Sequence, residues 1–291
     1  MILRNARRAV CIRARHKLYL LFPLLLCAMP RLHARDRNYR LVTTAVDSVA
    51  AEAKKKTILA LSNDLFDAGT FRGNLETNIN YRLLPPPGGK PGKYPLIVIF
   101  HNSGRIGTDN TAQLDVLVKY WAQPAIRSRY PAYVLAVQFP LRSSNYTTLS
   151  GDLMTSVAAS CLQGALQLTD SLVKVLPVDN RRIYALGFSM GASTANNAMM
   201  ARPGLFAAGV CISGIPAQES VAPLQQTPVW LVHGNKDTEN PIPADKAWYR
   251  NRQAQHSAPT LFWEIEGLGH KIYAPLYTTE AIPEWLWQQH R

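Results

Sequence analysis

Ser189, Asp237 and His270 are the three residues whose types and order could together perform chemistry. A serine hydroxyl is a weak nucleophile at neutral pH. It needs a base beside it, held in its working tautomer by an acid. Ser189 stands at the centre of Gly187-Phe188-Ser189-Met190-Gly191, a G-x-S-x-G sequence. Ile183-Tyr184-Ala185-Leu186 before it reads as a buried strand, and the Ala- and Met-rich run from Ala192 to Met200 reads as a helix. Strand, tight turn and helix are the context that lifts this pentapeptide above a chance Gly/Ser turn. The turn is sharp, so its flanks must be small; Gly187, Gly191, Ala192 and Ser193 meet that demand. The new helix aims its first backbone N–H groups at the serine.

The acid and the base should follow the serine in that order, each on a loop beyond a later strand. Val229-Trp230-Leu231-Val232-His233 reads as a strand, and Asp237 lies in the loop from Gly234 to Pro241, 48 residues after Ser189. The strand around Phe262–Ile265 runs into Gly267-Leu268-Gly269-His270, which puts His270 a further 33 residues on. Such loops converge on one crevice at the carboxyl ends of an open α/β sheet. Asp237 also reads as a plain turn residue in an Asn/Asp-rich loop, with Glu239 as the fallback acid. Of the seven histidines, His16 and His33 precede the folded part, His290 is at the far end and His256 lies in a polar loop. His233 reads as shaping the turn before Asp237, and His101 belongs to a Gly-rich loop, which leaves His270 as the base. A tetrahedral intermediate needs two N–H donors. Met190, directly after the nucleophile, supplies one; Ser103, in the loop His101 to Asn110, is the candidate for the other, unless that loop is an ordinary connector.

The elements that must position these residues alternate. Tyr94–Phe100 is a near-continuous apolar run, the pattern of a strand buried on both faces of a parallel sheet. Helical periodicity is expected over Asp47–Asn63 (through Val49, Ala53, Ile58 and Leu61), and Phe71–Leu84 alternates as an antiparallel pair or one long bent strand. Leu114–Trp121 reads as a helix and Tyr133–Phe139 as a strand. Met154–Leu176 reads as one long amphipathic helix with Leu162, Leu166, Leu168, Leu172 and Val175 on its apolar side. Strands at Ala207–Ile212, Val229–His233 and Leu261–Ile265 alternate with helices at Pro243–Gln253 and Thr279–Gln289. The expected class is α/β: one domain over 36–291, with a doubly wound, mostly parallel sheet and helices on both faces. No insertion large enough for a lipase-type lid is apparent before Ser189, so a small or exposed acyl group is expected. Trp121, Tyr146, Trp230, Tyr273 and Tyr277 are candidate pocket walls.

Residues 1–34 read differently from the rest. A basic lead is followed by Leu18–Met29, an apolar run of 12 residues broken by Pro23, and no acidic residue precedes Asp36. Twelve is short of the roughly 20 that a membrane helix needs; the segment reads as a secretory signal, or as an anchor if uncleaved, and implies export to the periplasm or medium. No stable membrane span is expected in the mature form. The formal charge of +13 includes seven Lys/Arg in residues 1–34, leaving +6 for the remainder. No basic run interleaved with aromatics occurs there, so a nucleic-acid partner is not expected. Cys161 and Cys211 could pair in an exported protein or rest as buried thiols, and their spacing makes no metal site.

At these residues the chain resembles the α/β-hydrolases of the phospholipase/carboxylesterase and dienelactone-hydrolase-like group, including secreted esterases labelled predicted peptidases. The resemblance spans Phe71 to the C-terminus through Tyr81-Arg82-Leu83, the loop His101–Asn110, Gly187–Gly191, His233-Gly234-x-x-Asp237, Gly267-x-Gly269-His270 and a closing Glu284-Trp285-Leu286 helix. Asn102 stands where the group has glycine, and Arg105-Ile106 replaces Glu-Arg. The resemblance implies a serine esterase acting on a small-molecule or exposed ester through Ser189, His270 and Asp237, with no metal or organic cofactor. A prolyl-oligopeptidase-like peptidase and an inactive binding protein of the same fold are the alternatives. Oligomeric state is not legible.

Overall fold

In a computed structural model of the protein the described residues are 36–43, 45–73, 78–88, 92–151 and 153–291. The expected leader over 1–34 lies outside them, and Arg37–Arg291 forms one compact unit. Its first elements are β1 (Tyr39–Val42), α1 (Ser48–Leu59), β2 (Asp67–Phe71), β3 (Ile79–Leu84) and β4 (Tyr94–Phe100). Two short helices, α2 (Val116–Lys119) and α3 (Pro124–Arg129), lead to β5 (Tyr133–Gln138) and a hairpin of β6 (Ser144–Ser150) and β7 (Leu153–Ala158). Then come α4 (Cys161–Val175), β8 (Val178–Phe188), α5 (Met190–Ala201) and β9 (Ala208–Ile212). The chain closes through β10 (Val229–Gly234), α6 (Pro243–Ala254), β11 (Thr260–Ile265), α7 (Pro275–Thr278) and α8 (Ala281–Leu286).

Nine strands form one sheet in the order β1-β11-β10-β9-β8-β4-β5-β3-β2. Every pair from β1 across to β5 is parallel, while β3 is antiparallel to both β5 and β2. The period-two alternation of β4 divides the core between the two faces. Leu96, Val98 and Phe100 pack with Ile183, Ala185 and Leu231, whereas Ile97 and Ile99 pack with Tyr184, Leu186 and Val232. Burial on both faces explains why these strands read as unbroken apolar runs. The doubly wound, mostly parallel α/β architecture read from the sequence is the one observed.

Several local expectations need correction. The helix expected from Met154 begins at Cys161, because 153–158 pairs antiparallel with 144–150 in a separate two-stranded sheet. Thr155 and Ser156 are buried there and take hydrogen bonds from Gln218 N–H (2.9 Å) and Asn197 Nδ2 (3.2 Å), partners that a helical periodicity does not reveal. This hairpin lies between β5 and α4, and the helical reading had absorbed its second strand. Val175, assigned to the apolar side of α4, is 75% exposed. In α1, Ala51 and Ile58 are buried, while Val49 and Ala53 face solvent. The short edge strand β1 and the helix α7 were not expected, and the closing helix expected over Thr279–Gln289 is shorter, α8 spanning Ala281–Leu286. Cys161 and Cys211 are both free and buried.

Candidate active site

The parallel strands end in a row, with Phe100 beside Gly187, Phe188 beside Ile212 and Gly234 beside Ile265. The loops that leave those ends carry Ser189, Asp237, His270 and the segment after His101. Ser189 caps α5 with φ 58° and ψ −126°, a backbone conformation that an L-residue adopts only under constraint. The constraint is visible. Ser189 N–H donates to Ile212 O (2.9 Å), and Gly191 lies so close to β4 that a Cβ there would overlap the Phe100 carbonyl. A Cβ on Gly187 would meet the Gly191 backbone. Both glycines are therefore required by close approach.

The loops that carry Asp237 and His270 are tied to each other before they reach the serine. Lys236 N–H donates to Leu268 O (2.9 Å), Asn235 N–H to Ile265 O (3.0 Å) and Gly267 N–H to Asn235 Oδ1 (2.9 Å). Gly234 has no room for a side chain against the Leu268 carbonyl. His270 Nδ1 lies 2.7 Å from Asp237 Oδ2, and its Nε2 lies 2.8 Å from Ser189 Oγ. With Nδ1–H donating to the carboxylate, Nε2 is left to accept from the serine hydroxyl, a tautomer assigned from the network. The Phe188 ring covers the imidazole, centroids 5.0 Å apart. Glu239, the fallback acid, is exposed and 3.8 Å from Nε2, the nitrogen that faces the serine.

Asp237 accepts from Glu239 N–H (3.0 Å) and Asn240 N–H (2.9 Å) on Oδ1. Its Oδ2 meets His270 and, at 3.2 Å, Nε2 of His233. Three donors thus hydrogen-bond the carboxylate, and the His233 ring stands beside its fourth lone-pair direction. Burial works to raise its pKa, but the hydrogen bonds from His233, His270 and the backbone outweigh burial and hold it well below the carboxylate range.

The segment after β4 is organised by His101, which is buried. Its Nδ1–H donates to Asn102 O (2.7 Å) and its Nε2 accepts from Phe139 N–H (2.9 Å). Burial lowers its pKa to about 4, so it is neutral and serves as a strut. Asn102 has an ordinary φ of −73°, so a tolerance for left-handed backbone is not what this position uses. Its side chain instead accepts from Gly104 N–H (3.0 Å) and caps the short turn Ser103–Arg105. Ser103 is exposed at the start of that turn. Met190 begins α5, where the first N–H groups have no intrahelical acceptor.

A cavity of about 410 Å³ opens beside the serine, lined among others by Asn102, Arg105, Phe188, His270, Lys271 and Tyr277. Of the aromatics suggested as walls, Tyr277 lines this cavity. Trp121 and Trp230 lie in the core at 2% and 1% exposure, Tyr273 is buried, and Tyr146 pairs with Ser193 Oγ (3.2 Å). Among the described residues no group of His, Cys, Asp or Glu is arranged to hold a metal ion, and no helix is long and apolar enough to cross a membrane.

No protein-family model and no curated protein matches the chain. Solved structures do. A thermostable esterase is similar with a TM-score of 0.72 and 29% identity, over 79% of this chain and 64% of the esterase. A puromycin hydrolase S511A mutant complexed with PGG is similar with a TM-score of 0.56 and 17% identity, over 77% of this chain and 39% of its own. An acylaminoacyl peptidase of Pyrococcus horikoshii follows with 0.55 and 17%, over 78% and 42%. The chain thus spans less than two thirds of the length of each of these proteins. The nine-stranded sheet and these likenesses together identify the α/β-hydrolase fold.

Proposed function

We propose that the protein is a serine hydrolase that cleaves carboxylic esters through an acyl-enzyme, as in the carboxylesterase and dienelactone-hydrolase-like group. One observation carries the reading: an unbroken hydrogen-bonded line from Asp237 through His270 to Ser189, ending on a serine held at φ 58°. Ser189 Oγ attacks the ester carbonyl as its proton passes to His270 Nε2, and Asp237 stabilises the resulting imidazolium. The oxyanion accepts from the N–H groups of Met190 and Ser103. In support of Ser103, the Asn102 carbonyl is turned onto His101, so the N–H of that same trans peptide points the opposite way. Collapse expels the alcohol, which takes the proton from His270; water then repeats the sequence and releases the acid.

The esterase among the structural neighbours supports ester over peptide, with higher identity and TM-score than the puromycin hydrolase and peptidases. The presence of an acylaminoacyl peptidase among them favours a second reading, a peptidase using the same three residues. Turnover of p-nitrophenyl acetate beside acylated dipeptide anilides separates the two. Ester cleavage lost in Ser189→Ala supports the proposal; anilide cleavage without ester cleavage supports the peptidase; neither in wild type ends both. The leader is proposed to direct export, and N-terminal sequencing of the exported protein tests it: a start at Met1 contradicts cleavage.

A further inference from the structure

Behind Asp237, on the side away from His270, lies a second histidine–carboxylate pair. His233 ends β10 with no exposure to solvent. Its Nδ1 is 2.7 Å from Asp245 Oδ2, and its Nε2 is 2.8 Å from Asn240 O and 3.2 Å from Asp237 Oδ2. Asp245 is 1% exposed in the first turn of α6. The protons can be counted from these contacts. Nε2 faces a carbonyl and a carboxylate, neither of which donates, so Nε2 carries a hydrogen. Nδ1 and Asp245 Oδ2 cannot both present lone pairs to each other at 2.7 Å, so a second proton lies between them. His233 and Asp245 together are therefore neutral, as imidazolium with carboxylate or as imidazole with acid. In either form Nε2–H donates to Asn240 O (2.8 Å) and stands 3.2 Å from Asp237 Oδ2.

We propose that His233 and Asp245 are a positioning pair for the catalytic carboxylate, extending the line to Asp245–His233–Asp237–His270–Ser189. The inference rests on the Ser189 reading above. Nε2–H fixes the rotamer of Asp237 from behind and draws part of its charge away from His270. Burial opposes a charge on His233, but Asp237 and Asp245 outweigh burial and raise its pKa to about 9; burial pushes the Asp245 carboxyl up. The other ionisable groups around the pair are Tyr146 from β6, whose phenol burial pushes up, and Cys211 beneath Asp245, whose thiol burial also pushes up. Arg252 lies beyond Cys211, and Glu239 approaches His270 alone. Between pH 5 and 8, then, the pair is what sets the charge behind Asp237.

Two substitutions at one position distinguish a positioning role from packing. In His233→Gln the amide nitrogen falls where Nε2 was and still presents an N–H beside Asp237. In His233→Asn it falls near Nδ1 and leaves that lobe of Asp237 empty. His233→Asn is expected to lose about 10–100-fold in kcat, by analogy with removal of the hydrogen-bond partner of a metal ligand, with KM changed less than about 3-fold. The acidic limb of its kcat/KM profile moves to higher pH, because Asp237 then attracts the His270 proton undivided. His233→Gln recovers most of the lost kcat and returns the limb toward wild type. Asp245→Asn, which keeps the size of residue 245 but removes the shared proton, moves the limb in the same direction by less; it serves if His233→Asn does not fold by circular dichroism. An unshifted limb in both His233→Asn and Asp245→Asn, or equal losses in the two His233 variants, overturns the proposal. If wild type is not labelled at Ser189 by a fluorophosphonate, the reading beneath it fails instead; labelled wild type with indifferent variants removes only the pair.

Discussion

The strained backbone at Ser189 makes a prediction about stability whose sign is opposite to the usual one. With φ 58° and ψ −126°, Ser189 adopts a conformation that costs an L-residue roughly 1–3 kcal/mol and costs glycine almost nothing. Ser189→Ala and Ser189→Gly both remove the hydroxyl bonded to His270, so that loss cancels between them. Glycine relieves the strain but brings about 0.5–1 kcal/mol of extra chain entropy to be lost on folding, and gives up the burial of one methyl group. Taken at mid-range, these leave a balance of about 0.5 kcal/mol in favour of Ser189→Gly over Ser189→Ala. At an ordinary position alanine is the more stable by a similar amount. Urea unfolding of the two variants measures the difference directly, and thermal midpoints should separate by about 1–2 °C. An alanine variant equal to or more stable than the glycine variant refutes the claim that the elbow stores strain.

Three further outcomes are expected. His101 is held neutral with a pKa of about 4, below the 6.5 of the unfolded chain, so unfolded molecules take the proton first as pH falls. Its contribution, on the order of 3 kcal/mol, is present above pH 6.5 and lost between 6.5 and 4; unfolding free energies at stepped pH should show this slope in wild type and lack it in His101→Asn. Arg252 is buried without a carboxylate among its hydrogen-bond acceptors and donates to Leu224 O (2.7 Å), Thr227 O (2.8 Å), Ala258 O (2.9 Å) and Thr260 Oγ1 (2.6 Å). Arg252→Met strands those carbonyls and should cost about 3–5 kcal/mol in urea unfolding, whereas Asp170→Asn, which breaks the part-exposed Arg202 pair, should cost under about 1 kcal/mol. Asn102→Gly removes the cap on Gly104 N–H and should lower kcat about 5-fold, the equivalent of roughly 1 kcal/mol of lost loop order; unchanged rates mean that the cap does not hold the oxyanion loop.

Much of the site is legible because its signals are local. Each of Ser189, Asp237 and His270 follows its own strand within a few residues, and small residues mark the turns. The sheet class is legible for the same reason, since burial on both faces writes itself as apolar runs such as Leu96–Phe100. The hairpin at 144–158 is not legible: its buried Thr155 and Ser156 are satisfied by residues more than 40 positions away, so no periodicity within the segment marks them. Strand β1 is four residues long and mostly exposed, so it carries no burial pattern of its own. His233 was read as shaping a turn because its partner Asp245 is 12 residues on, in a helix. The spacing His233-x-x-x-Asp237 was visible, but only packing brings α6 against the end of β10. Asn102 was read only as a departure from glycine; its side chain proved to be the part in use.

The central claim is that Ser189 becomes the acyl carrier because His270 takes its proton. Peptide mapping by mass spectrometry after a timed reaction with a fluorophosphonate tests it most directly. A single adduct on Ser189, slowed at least about 1,000-fold in His270→Ala, is the predicted result. An adduct on another residue, or equal labelling rates in wild type and His270→Ala, contradicts the account.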